Sequence, residues 1–255
     1  MVADQAYPDA FQKWCNDRYN WKFDLQHLVY SKGVIPALYS LISLICKPDE
    51  KVLIVTPSYA FFKHGVDHNK LELVCSELIN VEGQFRMNMD DIQMKASDEK
   101  CVLCIFCNPH NPTGRLWSEE ELQDIGRVCL DNNVMIISDE IHCDLLRGHH
   151  SFIPMATLFP NSDQIITCMS PSKTFNLAGN SFANIIIPNN NLRERYIENY
   201  LPIENPLSIV AAQAAYREGD LWLSELTQYL DNNFKYLKEQ LDLLLPHAEF
   251  LILPI

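Results

Sequence analysis

Short apolar runs rich in β-branched residues recur along the chain, separated by polar stretches: KVLIVT (51–56), LELVC (71–75), CVLCIF (101–106), VMIISD (134–139), QIITCM (164–169) and FANIIIP (182–188). Continuous hydrophobicity in runs this short is the pattern of strands buried on both faces. Between several of them the apolar positions recur at helical spacing, over Val34 to Cys46 and over Ser118 to Asn132. The second of these opens with Ser118 and Glu121, spaced so that each side chain can accept from the other residue's backbone N–H. Strand and helix in alternation predict an α/β fold with a mainly parallel sheet covered by helices on both faces. After Asn191 the pattern turns helical, through NLRERYIENYL and NPLSIVAAQAAYREG and then from Asp220 to Leu245, where Pro246 breaks it. The chain has no internal repeat, low-complexity tract or evident flexible linker.

Composition narrows the function classes. A chain of 255 residues with 47% hydrophobic content can bury the core of one large α/β domain, or of one domain and part of another. The net charge of -13, from 20 Lys and Arg against 33 Asp and Glu, argues against a broad phosphate-binding surface, so nucleic acid is not an expected partner. Nine cysteines without a dense framework, and no cationic leader followed by an apolar segment, predict a reducing compartment, with the cytoplasm as the default. No apolar run approaches the roughly 20 residues of a membrane span, so no membrane association is expected.

Polar groups gather where strands are expected to end, which is where open α/β sheets bind ligands. Asn108 to Gly114 follow CVLCIF, Asp139 closes VMIISD, and Ser170 to Lys173 follow QIITCM. The intervals between Asn111, Asp139 and Lys173 each leave room for a helix or crossover, so three loops can converge on one ligand. Upstream, SKGVIPAL places Gly33 before a helical pattern, so the N–H groups of Val34 and Ile35 can point into an anion site, with Ser170 and Ser172 as further hydroxyl donors. Pro36 lies near the helix start, where its missing N–H costs little. Each piece alone has a plainer reading: NPTG is a turn signal, SPSK a solvent loop, and Asp139 or the adjacent Glu140 a cap. Cys101, Cys104 and Cys107 have metal-like spacing but lie along a strand, where residues three apart face opposite sides, so they read as buried thiols. His149 and His150 suggest at most an adventitious metal contact, and SEEELQD reads as an acidic first helical turn.

Taken together and in order, NPHNPTGR (108–115), SDEIHCDL (138–145) and SPSKTFNLAG (170–179) resemble the fold-type I pyridoxal-phosphate enzymes of the class I/II aminotransferase superfamily. The DEIH-x-D, PHNPTGR and SKTFN-x-AG forms are similar to its cystathionine β-lyase branch, which cleaves carbon–sulfur bonds. The resemblance runs from about Tyr19 to Tyr236. It implies a seven-stranded, mainly parallel sheet and pyridoxal 5'-phosphate as cofactor. Lys173 would bind the cofactor aldehyde and act as base, and its amine should be partly desolvated so as to be neutral when it reacts. Asp139 would hold the proton of the pyridine nitrogen, Asn111 would bond the ring oxygen, and Tyr59 of TPSYAFF would stack on the ring. His142 takes a position at which many aminotransferases carry tyrosine. Lys32 stands where the family commonly has Pro, and Asn180 where it usually has an aliphatic residue.

The resemblance further implies a cofactor-binding large domain over 1–204, then a helical continuation over 205–255 that begins a smaller domain. In the family a Phe-Gly-Tyr segment lies just before the part matching residue 1 and reaches the neighbouring subunit's cofactor. Beyond the part matching AEFLILPI, a small domain supplies an arginine for the substrate carboxylate. The chain is therefore expected to look like a family member shortened at both ends, with weakened cofactor binding and turnover. The implied substrate is an amino-acid thioether, cleaved to thiol, pyruvate and ammonia, in a homodimer. Transamination, or an inactive cofactor-binding or interaction role, fits the same motifs.

Overall fold

The computed structural model describes residues 5–148, 150–200, 205–245 and 247–248. In chain order the elements are α1 (Ala6–Tyr19), β1 (Leu28–Ser31), α2 (Val34–Ile45), β2 (Lys51–Thr56), α3 (Ala60–His68), β3 (Glu72–Glu77), β4 (Ile79–Val81), β5 (Gln84–Arg86), α4 (Met89–Ala96) and β6 (Cys101–Cys107). They continue with α5 (Glu119–Asp131), β7 (Met135–Asp139), α6 (Met155–Leu158), β8 (Ile165–Met169), α7 (Pro171–Thr174), β9 (Ala183–Ile186), α8 (Asn190–Tyr200), α9 (Pro206–Glu218) and α10 (Asp220–Leu244). Among the described residues the strands form a seven-stranded sheet in the order β1-β9-β8-β7-β6-β2-β3 and a separate β4–β5 hairpin. Pairing is parallel from β3 to β8, whereas β9 runs antiparallel to β8 and β1 antiparallel to β9. Every apolar run singled out in the sequence becomes a strand of this sheet.

Side chains alternate across the pleat and build a core on each face. Val52, Ile54, Leu103, Ile105, Ile137 and Ile166 pack under α2, α3 and α8. Leu53, Val55, Cys104, Phe106, Ile136 and Ile165 pack under α4, α5 and α6. Each fully buried aliphatic side chain contributes about 1.5–3 kcal/mol of transfer free energy, and this is what holds helices on both faces. Helix α5 begins as its sequence requires: Ser118 Oγ accepts from Glu121 N at 3.2 Å, and Ser118 N donates to Glu121 Oε2 at 2.8 Å.

Among the elements that lie outside the sequence reading, two build the region around the site. Strand β1 has only four residues, half of them not fully buried, so it lacks the continuous apolar run of its neighbours. Helix α1 does carry a signal, because Tyr7, Ala10, Phe11, Trp14 and Cys15 follow helical spacing and are all buried. This stripe packs with Phe182, Ile186, Ala212, Tyr216 and Leu223 in a third apolar cluster that seats α9 beside α1. The boundary at 204/205, Pro246 and His149 lie outside the described residues.

The expectation for the strand cysteines needs one correction. Cys104 and Cys107 face opposite cores, but Cys101 lies on the same side as Cys104. The β2–β6 register slips by one residue, Lys51 facing Cys101 and Val52 facing Leu103, which leaves Val102 as an extra residue and reverses the alternation before it. All nine cysteines are free thiols. Among the described residues no group of three or more His, Cys, Asp or Glu could hold a metal ion, and no helix is long and apolar enough to cross a membrane.

Candidate active site

Parallel register brings the ends of three strands together. Cys107 of β6 lies opposite Asp139 of β7, and Asp139 opposite Cys168 of β8. The loops leaving these ends, with the start of α2, enclose a cavity of about 230 Å³. Gly33, Val34, Ile35, Tyr59, Asn111, Asp139, His142, Ser170, Ser172 and Lys173 all line it. Lys32, Cys107, Ile141, Ser181 and Phe182 line it too. Of these, Lys32 had a sequence signal as a departure from the family pattern and Cys107 only as a buried strand thiol; the others sit in or beside strands and turns with nothing local to mark them.

Gly33 caps α2 with φ 144° and ψ 164°, a backbone region that essentially only glycine adopts. Val34 and Ile35 are the first two helical residues, so their N–H groups have no partner within the helix. Pro36 follows and has no N–H to leave unpaired. The helix start therefore presents two amide donors to the cavity, with the exposed Lys32 immediately before them.

The loop after β6 is a closed turn. His110 N donates to Arg115 O at 2.7 Å, Gly114 N to His110 O at 2.8 Å, and His110 Nδ1 lies 2.8 Å from Thr113 Oγ1. Gly114 takes φ 68°, and the bonds before Pro109 and Pro112 are cis. Asn108 is fully buried and anchors the turn from below, donating from Nδ2 to Ile153 O at 3.3 Å. This leaves Asn111, at the tip, on the cavity wall. Tyr59 caps α3 half-buried, its ring edge-to-face with Phe62 at 6.1 Å and 88°.

The two adjacent carboxyls, equivalent in composition, point to different places. Asp139 lines the cavity, one oxygen accepting from Ile141 N at 3.2 Å. Glu140 turns toward α6, where its Oε1 accepts from Ser138 Oγ at 2.8 Å and from Met155 N at 3.0 Å. Its Oε2 is buried without a partner among the described residues. Burial pushes Asp139 up to about 7, against the pull of the Ile141 N–H and the Lys173 charge. Burial likewise pushes Glu140 up to about 8. His142 is held down to about 4 by burial and then by the Lys173 charge.

Two expectations for the lysine loop change. Ser170 is not a free donor: its hydroxyl donates to Phe182 O at 2.7 Å and accepts from Ser172 N at 3.1 Å, so it caps α7 instead. Ser172 Oγ is left as the hydroxyl without a partner among the described residues. Lys173, third in the four-residue α7, is exposed rather than partly desolvated, because it stands on the cavity's rim above the buried Thr174.

These shifts set a stability prediction. Asp139 and Glu140 keep their protons in the folded chain up to about 7 and about 8, but lose them near the ordinary 3.8 and 4.5 when unfolded. The folded chain binds more protons across that interval, so these groups cost stability as pH rises. His110 and His142, both held down to about 4 by burial, act oppositely but only up to the ordinary 6.5. Above about pH 6.5 the carboxyls act without that offset, both up to about 7 and Glu140 alone from there to about 8, at up to ~1.4 kcal/mol per pH unit each. Thermal melting of the ligand-free chain should therefore shift down over this interval. Glu140→Gln, which keeps the acceptor for Ser138 and Met155, should flatten the slope. A parent melting midpoint that does not fall there would contradict the buried neutral acids.

A family model described as aminotransferase class I and II matches residues 3–251. The chain is 35% identical over 255 residues to the Bacillus subtilis (strain 168) protein named cystathionine beta-lyase PatB, covering 98% of this chain and 66% of that protein. It is 28% identical over 248 residues to protein MalY of Escherichia coli (strain K12), covering 95% and 63%. Among solved structures, the PLP-bound C-S lyase from Staphylococcus hominis matches with a TM-score of 0.96 at 49% identity, covering 99% of this chain and 65% of that one. The chain thus spans just under two thirds of the length of each of these relatives.

Proposed function

From the premise that this chain belongs to the aminotransferase class I and II family, we propose that it carries the cofactor site of a pyridoxal-phosphate-dependent carbon–sulfur β-lyase. The observation that carries the reading is the convergence of one amine, one buried carboxyl and one amide, on Lys173, Asp139 and Asn111, at the ends of neighbouring parallel strands. That donor set fits the cofactor group by group. An aldehyde needs an amine, a pyridine nitrogen needs an acid that can share a proton, and a phosphate needs N–H and O–H donors. The carbon–sulfur branch is supported by the PatB and S. hominis likenesses.

Pyridoxal phosphate, when bound, supplies an electron sink conjugated to the amino acid's α-carbon. Lys173 Nζ would hold the aldehyde and would be the group placed to take the α-proton. Asp139 would hold a proton at the ring nitrogen, and its burial in a low-dielectric site would strengthen that interaction. Asn111 would donate to the ring oxygen, and Tyr59 and His142 would bound the ring from the cavity wall. The N–H groups of Val34 and Ile35, with Ser172 Oγ, bind the phosphate at the start of α2, where the helix dipole favours negative charge. Overall the Cβ–S bond of a thioether amino acid breaks and water is consumed, releasing thiol, pyruvate and ammonia. The reading includes a cytoplasmic homodimer, a cofactor-binding domain over 1–204 and the beginning of a second domain over 205–255.

The test is product release without an amino acceptor. Supplied with pyridoxal phosphate and a β-thioether amino acid such as cystathionine, the protein should release thiol and pyruvate in equal amounts. Turnover that requires an added 2-oxo acid, with the amino group transferred to it, would replace the lyase reading with transamination.

A further inference from the structure

Lys173 sits on a single helical turn, too short to hold a conformation by its own hydrogen bonds. Its side chain is exposed and makes no hydrogen bond among the described residues. Its position must come from its neighbours. Directly after it, Thr174 is fully buried, and its Oγ1 donates to Asp144 Oδ2 at 2.8 Å. Asp144, 6% exposed, is held on its other oxygen by α1: Trp14 Nε1 donates to Oδ1 at 2.9 Å, Tyr19 OH donates to the same oxygen, and Arg18 Nε lies 3.5 Å away. Arg18 reaches on to Asp220 at the start of α10, with Nη1 at 2.6 Å from Oδ1. The next residue, Phe175, is clamped in the same seam, edge-to-face with Trp14 at 5.6 Å and with Tyr216 at 6.1 Å. Gly219 leaves room for that ring, since a Cβ there would stand 2.3 Å from Phe175 Cε1.

We propose that the Thr174–Asp144 hydrogen bond is a latch that positions Lys173 from behind the cavity, anchoring its helical turn to α1; the proposal rests on the reading of Lys173 as the cofactor lysine. Neither Thr174 nor Asp144 lines the cavity, so both are positioning residues that act through Lys173. Asp144 suits the role because its charge is compensated by several donors on α1 and does not depend on Thr174 for burial. Thr174 is among the described residues the sole donor to Oδ2, so its hydroxyl can be removed with the rest of the cluster left in place.

A double-mutant cycle separates positioning from general support of the fold. Pyridoxal phosphate affinity is titrated by absorbance and fluorescence in the parent, Thr174→Val, Lys173→Ala and the double variant, and borohydride trapping with peptide mapping reports attachment. Loss of a hydrogen bond to a carboxylate should weaken cofactor binding about tenfold in the parent background and by less than about twofold where Lys173 is already absent. Thr174→Ser, which keeps the hydroxyl, should restore binding to near the parent value. Equal weakening in both backgrounds, or no weakening in either, overturns the latch. If Thr174→Val does not fold, Thr174→Ala, which adds no volume, is read in the same way. A parent that carries no cofactor on Lys173 overturns the cofactor reading, and the latch with it.

Discussion

Lys173→Ala should abolish the borohydride-stable attachment of pyridoxal phosphate and lower turnover at least about a thousandfold, because it removes the attachment point and the base together. The expectation is specific because the cavity has two lysines on its wall. Lys32 stands at the start of α2, beside the two free amide donors, and Lys173 stands at the end of β8, next to Asp139 and His142. Attachment at Lys173 would let the ring nitrogen, across the ring from the aldehyde, reach the buried Asp139 while the phosphate lies by the helix start. Attachment at Lys32 would draw the aldehyde to the helix start and take the phosphate away from its amide donors. Peptide mapping after reduction distinguishes the two directly. Label found on Lys32 with Lys173 unmodified would overturn this orientation.

Asp139→Asn should leave the attachment at Lys173 largely intact and slow α-proton exchange by about 10²–10³, the range for removing one preorganised electrostatic partner of a developing charge. Asparagine keeps the shape and can still accept from Ile141 N–H, so the change is in charge and proton-holding more than in packing. In the ligand-free chain burial already holds the Asp139 carboxyl up to about 7, which makes it a group able to share a proton with a pyridine nitrogen at neutral pH. Glu140→Gln is the matched control, because Glu140 is equally buried but faces Ser138 and Met155 instead of the cavity. Deuterium incorporation at the substrate α-carbon, followed by mass spectrometry, is the measurement. Exchange that is undiminished in Asp139→Asn, or equally diminished in Glu140→Gln, would remove Asp139 from the role.

The parts of the fold legible in the sequence are those whose signal is local. Runs such as QIITCM and VMIISD announce doubly buried strands because every position meets a core, and Ser118 with Glu121 announces a helix start because its bonds close within one turn. The site was legible for the same reason, since its polar residues lie in the loops that end those strands. What the local pattern left open was direction and partnership. Asp139 and Glu140 are neighbours of like chemistry, and only the way the chain leaves β7 sends one carboxyl into the cavity and the other toward α6. Ser170 looks like a free donor until the carbonyl of Phe182, twelve residues on, accepts its hydrogen bond. Cys101 changes face because β2 and β6 pair with a slipped register, a property of two strands and of neither alone. Thr174 and Asp144, thirty residues apart, become one hydrogen bond only when α7 is packed against the loop after β7. Which segments are buried, and which residue types stand at their ends, can be read along the chain, because periodicity and side-chain chemistry are carried residue by residue. Tertiary structure decided which oxygen, hydroxyl or thiol faces which neighbour, because that depends on strand register and helix packing between segments far apart in the chain.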